Sequence, residues 1–541
     1  MNDMSATTSQ TAGQVLVDSL AAQGIDRLFC VPGESYLGLL DALYGRTDID
    51  TVVCRHESGA GFMALADARL THRPGVACVS RGPGASNAAI AVHTAQQDAV
   101  PFLLLIGQVA VRDLRRDSFQ EIDYLRMFGG IAKWVVEVSD PDRIGETIQR
   151  ALQIAVSGTP GPVVIALPED MLTAASASLV AIPPTPIQAA PSPATLERLR
   201  GMLARSQRPL VLAGSALQQH TAALQAFIEA WDLPVMVAFR RHDLFDNTHR
   251  LYAGNMALAN PTAQMALLKQ ADLLLVLGAR LSDITTQGYA IPATETCLVH
   301  VHPDPAAIGS HFATELGIAC EAATLLETIG APADPPTSRG GWLDQLVAER
   351  RALAAPRRST ATDGVPFEDV VEVVGQTLPP DAILTVDAGT FAAPAYRIVP
   401  FRPPQRLLAP IAGSMGFGVP AAVAAALRHG DRTVVCMVGD GGFLMTGNEL
   451  AVAMERRLAL KVIVAVNGSY GSIRVNQERE FPGRVIGTSL VNPDFTLIGR
   501  AFGFPVHEIR TRADLASLSQ WLREPGPAFI VVETSLAAVL P

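Results

Sequence analysis

The stretch from Val438 to Gly471, VGDGGFLMTGNELAVAMERRLALKVIVAVNGSYG, indicates both the fold of this chain and a ligand. An apolar run, TVVCM, ends at the tetrapeptide GDGG of residues 439–442, a helical segment follows, and a second apolar run, KVIVAV, ends at Asn467. This order predicts a strand, a crossover helix and a parallel strand. The glycines let the backbone approach an anion, and the amides that begin the helix face it. The stretch therefore predicts a phosphate-binding turn.

Asp440 and Asn467 follow the two predicted strands and supply carboxylate and amide oxygens. Mg²⁺ prefers such ligands, with phosphates and water completing its coordination. A GDG tripeptide alone is usually an ordinary turn. The fuller pattern, with Gly439, Gly441 and Gly442 before a helix and an Asn-Gly pair after the next strand, instead predicts that the turn holds a metal ion and a diphosphate together.

The same alternation of strands and helices runs through the rest of the chain. Short apolar runs such as RLFCV, VACVS, PFLLLIG, DLLLVLGAR and PAFIVVE are separated by helical segments. Two stretches rich in Ala, Ser, Pro and Gly interrupt the pattern, at Ala174 to Ala194 and at Gly330 to Gly341. The sequence therefore predicts an α/β protein of three doubly wound parallel-sheet domains, at residues 1–175, 195–330 and 360–541.

Composition bounds the class of protein. Of 541 residues, 49% are hydrophobic, and 52 acidic against 42 basic residues give a net charge of −10 without a basic block. These values favour buried sheets and exclude an electrostatic binder of nucleic acid or anionic membranes. No signal-peptide pattern or membrane-spanning apolar run is present, so we expect a cytoplasmic protein. The six cysteines form no C-x-x-C pair and are expected to be buried thiols.

The segment from Val438 to Gly471 resembles the thiamine-diphosphate motif, which opens with GDG and closes with NN, and the whole chain resembles the acetolactate synthase large subunit. Val466 stands here in place of the first Asn, before Asn467. The resemblance implies that Asp440 and Asn467 bind Mg²⁺ and that the backbone carbonyl of Ser469 is the third protein ligand. It also implies that the three domains are the pyrimidine-binding, central and diphosphate-binding domains of that family.

A second segment, RHESGAGFMALADARLTHRPGVACVSRGPGASNAA, from Arg55 to Ala89, resembles the pyrimidine-binding domain of the same family. There the Glu that matches Glu57 hydrogen-bonds the aminopyrimidine ring. A carboxyl at that ring nitrogen promotes the imino tautomer, which removes the proton from the thiazolium carbon. The resemblance thus implies that Glu57 is both catalytic and cofactor-binding. The simpler alternative is a helix-start Glu that interacts only with the helix dipole.

Two further stretches resemble cofactor contacts of the family. APIAGSMGFGVPAA, at residues 409–422, implies that Met415 supports the bent cofactor and that the Gly413 carbonyl accepts its amino proton. VDAGTF resembles a diphosphate-side loop, with the Thr390 hydroxyl and the Phe391 amide as donors. Core packing of the Met and an ordinary strand-to-helix turn are the respective alternatives.

The substrate-side stretches point in two directions. DSFQEIDYLRMF, at residues 117–128, resembles a synthase stretch whose Phe and Gln, here Phe119 and Gln120, face the substrate; a surface loop is the alternative. Glu34, in VPGESY, stands where synthases usually have Gly and pyruvate decarboxylases have an acid, so it is a candidate for proton transfer. RVNQE at residues 474–478 replaces the QWQ stretch of the synthases.

The central domain departs from the family at its FAD contacts, where GARLSDITTQGY replaces a GARFDDR stretch and AGNMALANP lacks Met-His-Gly. Thiamine diphosphate and Mg²⁺ are therefore the expected cofactors, and FAD is the less expected one.

The resemblance implies a decarboxylating carboligase that condenses pyruvate with a second 2-oxo acid. A simple 2-oxo-acid decarboxylase and a 2-hydroxyacyl-CoA lyase remain alternatives, whereas the presence of Glu57, Asp440 and Asn467 argues against a non-catalytic homologue. The pyrimidine and diphosphate segments lie in different domains, and the family places each cofactor between two chains. We therefore expect a homodimer or a homotetramer.

Overall fold

The computed structural model describes residues 10–183, 189–334 and 339–540. Within these ranges the strands form three six-stranded sheets, and the paired strands run parallel. The predicted α/β class with three parallel sheets is confirmed. Parts of both predicted linkers, residues 184–188 and 335–338, lie outside the described residues, as do residues 1–9, which contribute to the expectation about a signal peptide.

The first sheet has the strand order β2-β1-β3-β4-β6-β5. Its inner strands β3, β4 and β6 are buried along their whole length, because helices cover both faces. The strands are β1 (Arg27–Cys30), β2 (Asp50–Val53), β3 (Gly75–Val79), β4 (Phe102–Gln108), β5 (Trp134–Glu137) and β6 (Pro162–Pro168). The helices are α1 (Ala12–Ala22), α2 (Leu37–Leu43), α3 (Glu57–Thr71), α4 (Gly82–Asp98), α5 (Tyr124–Phe128), α6 (Ile144–Val156) and α7 (Glu169–Thr173).

The central sheet has the order β12-β11-β10-β7-β8-β9. Alternate residues of its strands enter two separate apolar clusters, one on each face, so the sheet is covered on both sides. The strands are β7 (Pro209–Ala213), β8 (Val235–Val237), β9 (Tyr252–Asn255), β10 (Leu273–Leu277), β11 (Cys297–Val301) and β12 (Leu316–Ile318). The helices are α8 (Pro193–Arg205), α9 (Thr221–Trp231), α10 (Thr262–Leu268), α11 (Asp283–Thr286), α12 (Ala322–Ile329) and α13 (Gly340–Ala354).

The third sheet has the order β14-β13-β15-β16-β18-β17. The strands are β13 (Ile383–Val386), β14 (Arg406–Leu408), β15 (Val434–Gly439), β16 (Leu460–Val466), β17 (Val506–Ile509) and β18 (Ala528–Glu533). The helices are α14 (Phe367–Thr377), α15 (Ala393–Ile398), α16 (Gly418–Arg428), α17 (Asp440–Thr446), α18 (Leu450–Glu455), α19 (Gly471–Glu480), α20 (Phe495–Ala501) and α21 (Leu515–Arg523). The strand, helix and strand predicted around GDGG are β15, α17 with α18, and β16.

The chain forms two compact units. The first contains the described residues of 10–183 with Ala412–His429 and Leu444–Leu458. The second contains the remaining described residues, including the central and third sheets. The predicted domain boundaries stay predictions. Five of the six cysteines are buried thiols and Cys297 is half-buried, and among the described residues we find no helix long and apolar enough to cross a membrane.

Candidate active site

Glu57 is the first residue of α3 and follows β2 after a three-residue turn. His56 caps this helix, since its Nδ1 accepts a hydrogen bond from the Ser58 amide at 3.2 Å. The half-buried Glu57 carboxyl accepts from Asn87 Nδ2 at 2.9 Å through Oε2. A Cβ atom on Gly84 would lie 3.4 Å from Glu57 Oε1, an ordinary van der Waals contact. The predicted catalytic carboxyl therefore lies against the first turns of α4.

A second carboxyl, Glu449, lies behind the start of α3 and is fully buried. The Arg55 amide donates to both of its oxygens at 3.1 Å, and the His56 amide donates to Oε1 at 2.9 Å. A Cβ atom on Gly59 would lie less than 3.0 Å from Glu449 Oε1, so this approach requires glycine. The pKa of Glu449 is raised to about 7, mainly by burial. The hydrogen bonds from the Arg55 and His56 amides and the charge of Arg55 lower this pKa, whereas the charge of Glu57 raises it. Sequence reasoning missed Glu449, because one Glu in a helical segment gives no signal of burial.

Glu34 and Gln120 lie beside the turn that connects β3 to α4. Glu34 follows β1, and its neighbour Ser35 has its Oγ 3.1 Å from Ser80 Oγ. The Gly82 amide donates to the Gln120 carbonyl at 3.0 Å. Gln120 has a left-handed backbone with φ 63°, and strain of this kind concentrates at functional sites. The side chains of Glu34 and Gln120 are both exposed. These two predicted residues therefore lie near the start of α4, the helix that contacts Glu57, and are accessible to solvent.

Met415 and Gly413 lie in a loop that is fixed to α4 in the same compact unit. The Ala412 amide donates to Asp98 Oδ1 at 2.8 Å, and the hydroxyl oxygens of Ser414 and Thr94 are 2.7 Å apart. Met415 is half-buried and Gly413 is exposed. The contacts of Met415 and of the Gly413 carbonyl with the cofactor stay predictions. The loop that contains both residues is held to α4 by these hydrogen bonds.

Asp440 directly follows the end of β15 in the second compact unit and is 2% exposed. Its Oδ2 accepts from the amides of Asn467 at 3.1 Å and Gly468 at 2.8 Å and from Asn492 Nδ2 at 2.8 Å. Its Oδ1 accepts from the Gly441 amide at 2.9 Å. The structure thus brings Asp440 beside the loop that follows β16, where the other predicted metal ligands lie. Sequence reasoning missed Asn492, which comes from a later segment.

The oxygen atoms around Asp440 are suited to a hard cation. Asn467 Oδ1 accepts from the Ser469 amide at 3.0 Å, so these two predicted ligands are in contact. Ser469 Oγ, Thr488 Oγ1 and Asn492 Oδ1 are buried without a hydrogen-bond partner. Among the described residues no cluster of three or more His, Cys, Asp or Glu forms a metal site. One carboxylate with amide and carbonyl oxygens fits Mg²⁺ better than a transition metal.

Thr390 and Phe391 begin a short 3-10 turn after β13, the strand beside β15. A Cβ atom on Gly471 would lie 3.0 Å from Thr390 Oγ1, so the hydroxyl lies at the start of α19. The Phe391 ring belongs to the core. A Cβ atom on Gly439 would lie 3.2 Å from this ring, so the ring packs closely against the Gly439 backbone. Residues 441 and 442 are buried in the first turn of α17. The predicted phosphate-binding residues therefore surround one sheet edge, and their ligand role stays a prediction.

The central sheet has the strand order of a dinucleotide-binding fold, with its switch point between β7 and β10. The two loops at that point pack directly on each other. The Gly214 amide donates to the Leu277 carbonyl at 2.9 Å, and a Cβ atom on Gly214 would lie less than 3.0 Å from the Gly278 carbonyl. A Cβ atom on Gly278 would meet Ala216 Cβ at 2.5 Å. The close packing of the two loops therefore requires glycine at both positions.

Comparison with protein families gives three matches along the chain. Residues 10–127 match the N-terminal TPP binding domain of thiamine pyrophosphate enzymes, residues 196–329 match their central domain, and residues 387–532 match their C-terminal TPP binding domain. The two outer matches contain the Glu57 and Asp440 regions, respectively. They support thiamine diphosphate, also called thiamine pyrophosphate, as the cofactor.

Curated relatives agree with these matches. The acetolactate synthase isozyme 1 large subunit of Escherichia coli (strain K12) is 32% identical, over 98% of this chain and 95% of the relative. The isozyme 2 large subunit of the same organism is 30% identical, over 96% and 94%. Acetolactate synthase 1, chloroplastic, of Zea mays is 28% identical, over 96% and 85%. With these relatives and three domain matches, the chain belongs to the thiamine pyrophosphate enzyme family and is similar to its acetolactate synthase large subunits.

Proposed function

We propose that this protein is a decarboxylating carboligase of the acetolactate synthase type, which uses thiamine diphosphate and Mg²⁺ to condense pyruvate with a second 2-oxo acid. The observation that carries the proposal is the Glu57 carboxyl, held by Asn87 at the start of α3. The similarity to acetolactate synthase large subunits over nearly the whole chain supports the reaction class.

The residues at the third sheet edge would hold the cofactor's diphosphate and its metal ion. Asp440, Asn467 and the Ser469 carbonyl are the proposed Mg²⁺ ligands. The amides of residues 441 and 442, the Thr390 hydroxyl and the Phe391 amide are the proposed diphosphate donors. Glycine at position 439 allows the backbone to approach the diphosphate closely. Helix-start amides favour anions because they carry unsatisfied N–H groups and the positive end of the helix dipole.

Thiamine diphosphate, when bound, supplies a carbanion that attacks the 2-oxo carbon and accepts the electron pair left by the departing CO₂. Asn87 orients the Glu57 carboxyl, which would donate a hydrogen bond to the ring nitrogen of the bound pyrimidine. Met415 would support the cofactor's bent shape, and the Gly413 carbonyl would accept a hydrogen bond from its amino group. Gln120 and Phe119 line the substrate side, where an exposed Phe119 ring, 77% accessible, is free to cover an apolar substituent.

A simple decarboxylase is the second candidate, and the position of Glu34 favours it. Its side chain is exposed beside the turn that starts α4, so it is accessible to a substrate-side proton transfer. Protonation of the carbon that loses CO₂ releases an aldehyde, whereas attack of that carbon on a second 2-oxo acid gives an acetohydroxy acid. Proton transfer by Glu34 would therefore favour the decarboxylase over the carboligase.

FAD is not part of this proposal. The central domain departs from the family at its FAD contacts, where GARLSDITTQGY and AGNMALANP replace the usual stretches. We expect the purified protein to be active without added FAD and to lack flavin absorption.

The proposed assembly is a homodimer or homotetramer. Several apolar side chains on α4 and on the segment 444–454 of the first compact unit are exposed, as expected of a surface that another copy covers. They are Ile90 at 39%, Leu444 at 49%, Met445 at 45% and Met454 at 51% exposure. A cytoplasmic location is part of the proposal, because free thiols are typical of reducing compartments.

Product analysis by NMR tests the proposed reaction. The purified protein is incubated with thiamine diphosphate, Mg²⁺ and pyruvate, with and without 2-oxobutyrate. Acetolactate, together with a mixed product when 2-oxobutyrate is present, would support the carboligase. Acetaldehyde alone would favour the decarboxylase. A parallel incubation contains a 2-hydroxyacyl-CoA in place of pyruvate, and turnover of that substrate alone would favour the lyase. A cofactor-loaded protein that converts none of these substrates would contradict the proposal.

A further inference from the structure

Asn492 is the one side-chain amide that reaches the Asp440 carboxyl among the hydrogen bonds described for that group. The segment that carries it runs antiparallel to the loop after β16. The Tyr470 amide donates to the Thr488 carbonyl at 2.8 Å, and the Leu490 amide donates to the Gly468 carbonyl at 2.7 Å. This pairing delivers Asn492 Nδ2 to Asp440 Oδ2 at 2.8 Å. The contact is therefore set by backbone hydrogen bonds and not by a mobile side chain alone.

The donors around Asp440 are distributed unequally between its two oxygens. Oδ2 accepts three hydrogen bonds, from Asn467, Gly468 and Asn492, whereas Oδ1 accepts one, from Gly441. A carboxylate offers about two lone-pair sites on each oxygen. Oδ2 is thus saturated by N–H donors, and Oδ1 retains capacity for a cation.

The carbonyl oxygen of the Asn492 side chain lies at the other end of the same amide. Its Oδ1 is buried and has no hydrogen-bond partner. A buried amide oxygen without a hydrogen-bond partner destabilises the fold, so such an atom normally has a partner when the protein is functional. Mg²⁺ in proteins usually keeps several of its waters, and each is a strong donor.

We propose that Asn492 is a positioning residue of the cation site: its Nδ2 fixes Asp440 with Oδ1 directed to the cation, and its Oδ1 accepts from a water that the cation holds. The inference rests on the proposed function, because the cation is the Mg²⁺ of the thiamine diphosphate site. It adds a residue outside the predicted ligand set of Asp440, Asn467 and Ser469. Supporting residues of this kind typically change metal affinity by about 10–100-fold.

The experiment measures Mg²⁺ affinity directly. Binding of thiamine diphosphate is followed by calorimetry at increasing Mg²⁺ for the wild-type full chain and for Asn492→Ala and Asn492→Leu. We expect both variants to need about 10–100-fold more Mg²⁺, and their turnover to recover as Mg²⁺ is raised. Asp494→Asn is the matched control, because Asp494 lies two residues away, caps α20 and is exposed; it should leave the Mg²⁺ requirement unchanged.

The outcomes separate the inference from the proposed function. If the wild type shows no Mg²⁺-dependent binding of thiamine diphosphate, the proposed cofactor site is wrong. If the wild type binds and either folded variant has the same Mg²⁺ affinity, Asn492 does not position the cation. Circular dichroism of the metal-free variants shows whether they fold. The Leu variant keeps the branched shape of the side chain and the Ala variant leaves room for water, so failure of one to fold leaves the other decisive.

Discussion

The first and third sheets have the same topology but carry their acidic residues at different turns. Numbered within each sheet, the strand order is 2-1-3-4-6-5 in both. In the first sheet the candidate carboxyl, Glu57, follows the second strand, and the turn after the third strand reads Ser80-Arg81-Gly82. In the third sheet the turn after the third strand carries Asp440. One arrangement of strands thus supports two chemistries, because the residues at the strand ends decide what each edge binds.

The two carboxyls also differ in their burial and in the number of hydrogen bonds that they accept. Asp440 is buried and accepts four N–H donors, which suits an ionised ligand for a cation. Glu57 is half-buried and has one donor, Asn87, on one oxygen. Its other oxygen lies near Gly84 at the start of α4, and no hydrogen bond is described for it. The difference suits a metal site at one edge and a proton-sharing contact at the other.

The largest effect is expected from Glu57→Gln. The amide keeps the size of the side chain but cannot transfer the carboxyl proton, so turnover should fall by about 100–10,000-fold while the protein stays folded. NMR product formation measures the loss, and circular dichroism checks the fold. Glu455→Gln is the control, since Glu455 is half-exposed and pairs with Arg55 beside the same helix start. Full activity of the Glu57→Gln variant would refute the assignment of the first edge.

Asp440→Asn should act at the other edge and through a different quantity. The substitution removes the charge and places an amide NH₂ or C=O among four N–H donors, so one contact becomes donor against donor. We expect Mg²⁺ affinity to fall by more than the about 10–100-fold typical of a supporting residue. Calorimetry with thiamine diphosphate and Mg²⁺ measures this change. Equal Mg²⁺ affinity in wild type and variant would remove Asp440 from the metal site.

Glu57, Asp440 and Asn467 were accessible to sequence reasoning because each directly follows a strand or its turn. In a parallel sheet the carboxyl ends of neighbouring strands meet at one edge, so local patterns are enough to place such residues. The three parallel sheets follow from the same alternation. The resemblance supplied roles for Met415 and Thr390 that strand patterns alone do not give.

Glu449 and Asn492 were not accessible, because their contacts are made across the fold. Glu449 reaches the amides of Arg55 and His56 from a helical segment far along the chain, and Asn492 reaches Asp440 through pairing with the loop after β16. Neither contact leaves a periodic pattern in the sequence. The close approach of Gly214 and Gly278 in the central sheet likewise depends on packing across the fold.

Glu449→Gln should change the pH dependence of stability. The folded pKa of about 7 lies above the ordinary 4.5, so the native state holds a proton that the unfolded chain has released between these values. The contribution of Glu449 to the free energy of unfolding therefore falls as pH rises from about 4.5 to 7, by roughly 3 kcal/mol in total. Gln does not titrate, so the stability difference between variant and wild type should change across this window and be level outside it.

Denaturant unfolding at several pH values measures the difference. The charged groups that face Glu449 are Arg55 and Glu57, with His56 and the Cys54 thiol nearby. Because these groups remain in the variant, the comparison isolates the one carboxyl. A stability difference that is constant from about pH 4.5 to 7 would show that the Glu449 carboxyl titrates near its ordinary pKa.

The smallest effects come from two glycine substitutions, which compare an outer edge with the central sheet. Gly59→Ala and Gly214→Ala each place a methyl group less than 3.0 Å from an oxygen, of Glu449 and of Gly278 respectively. The Gly214 backbone has φ −118°, which alanine adopts readily, so its cost is steric. Overpacking of this kind typically costs about 1–3 kcal/mol, and denaturant unfolding of both variants measures it.

Turnover per folded molecule then distinguishes the two sites. Gly59→Ala displaces Glu449 and with it the helix start that carries Glu57, so turnover should fall as well as stability. Gly214→Ala disturbs a loop contact within the central sheet, so turnover should stay at the wild-type value once unfolded protein is discounted. If Gly214→Ala instead lowered turnover and added FAD restored it, the central sheet would contain a flavin site, and its contrast with the outer edges would disappear.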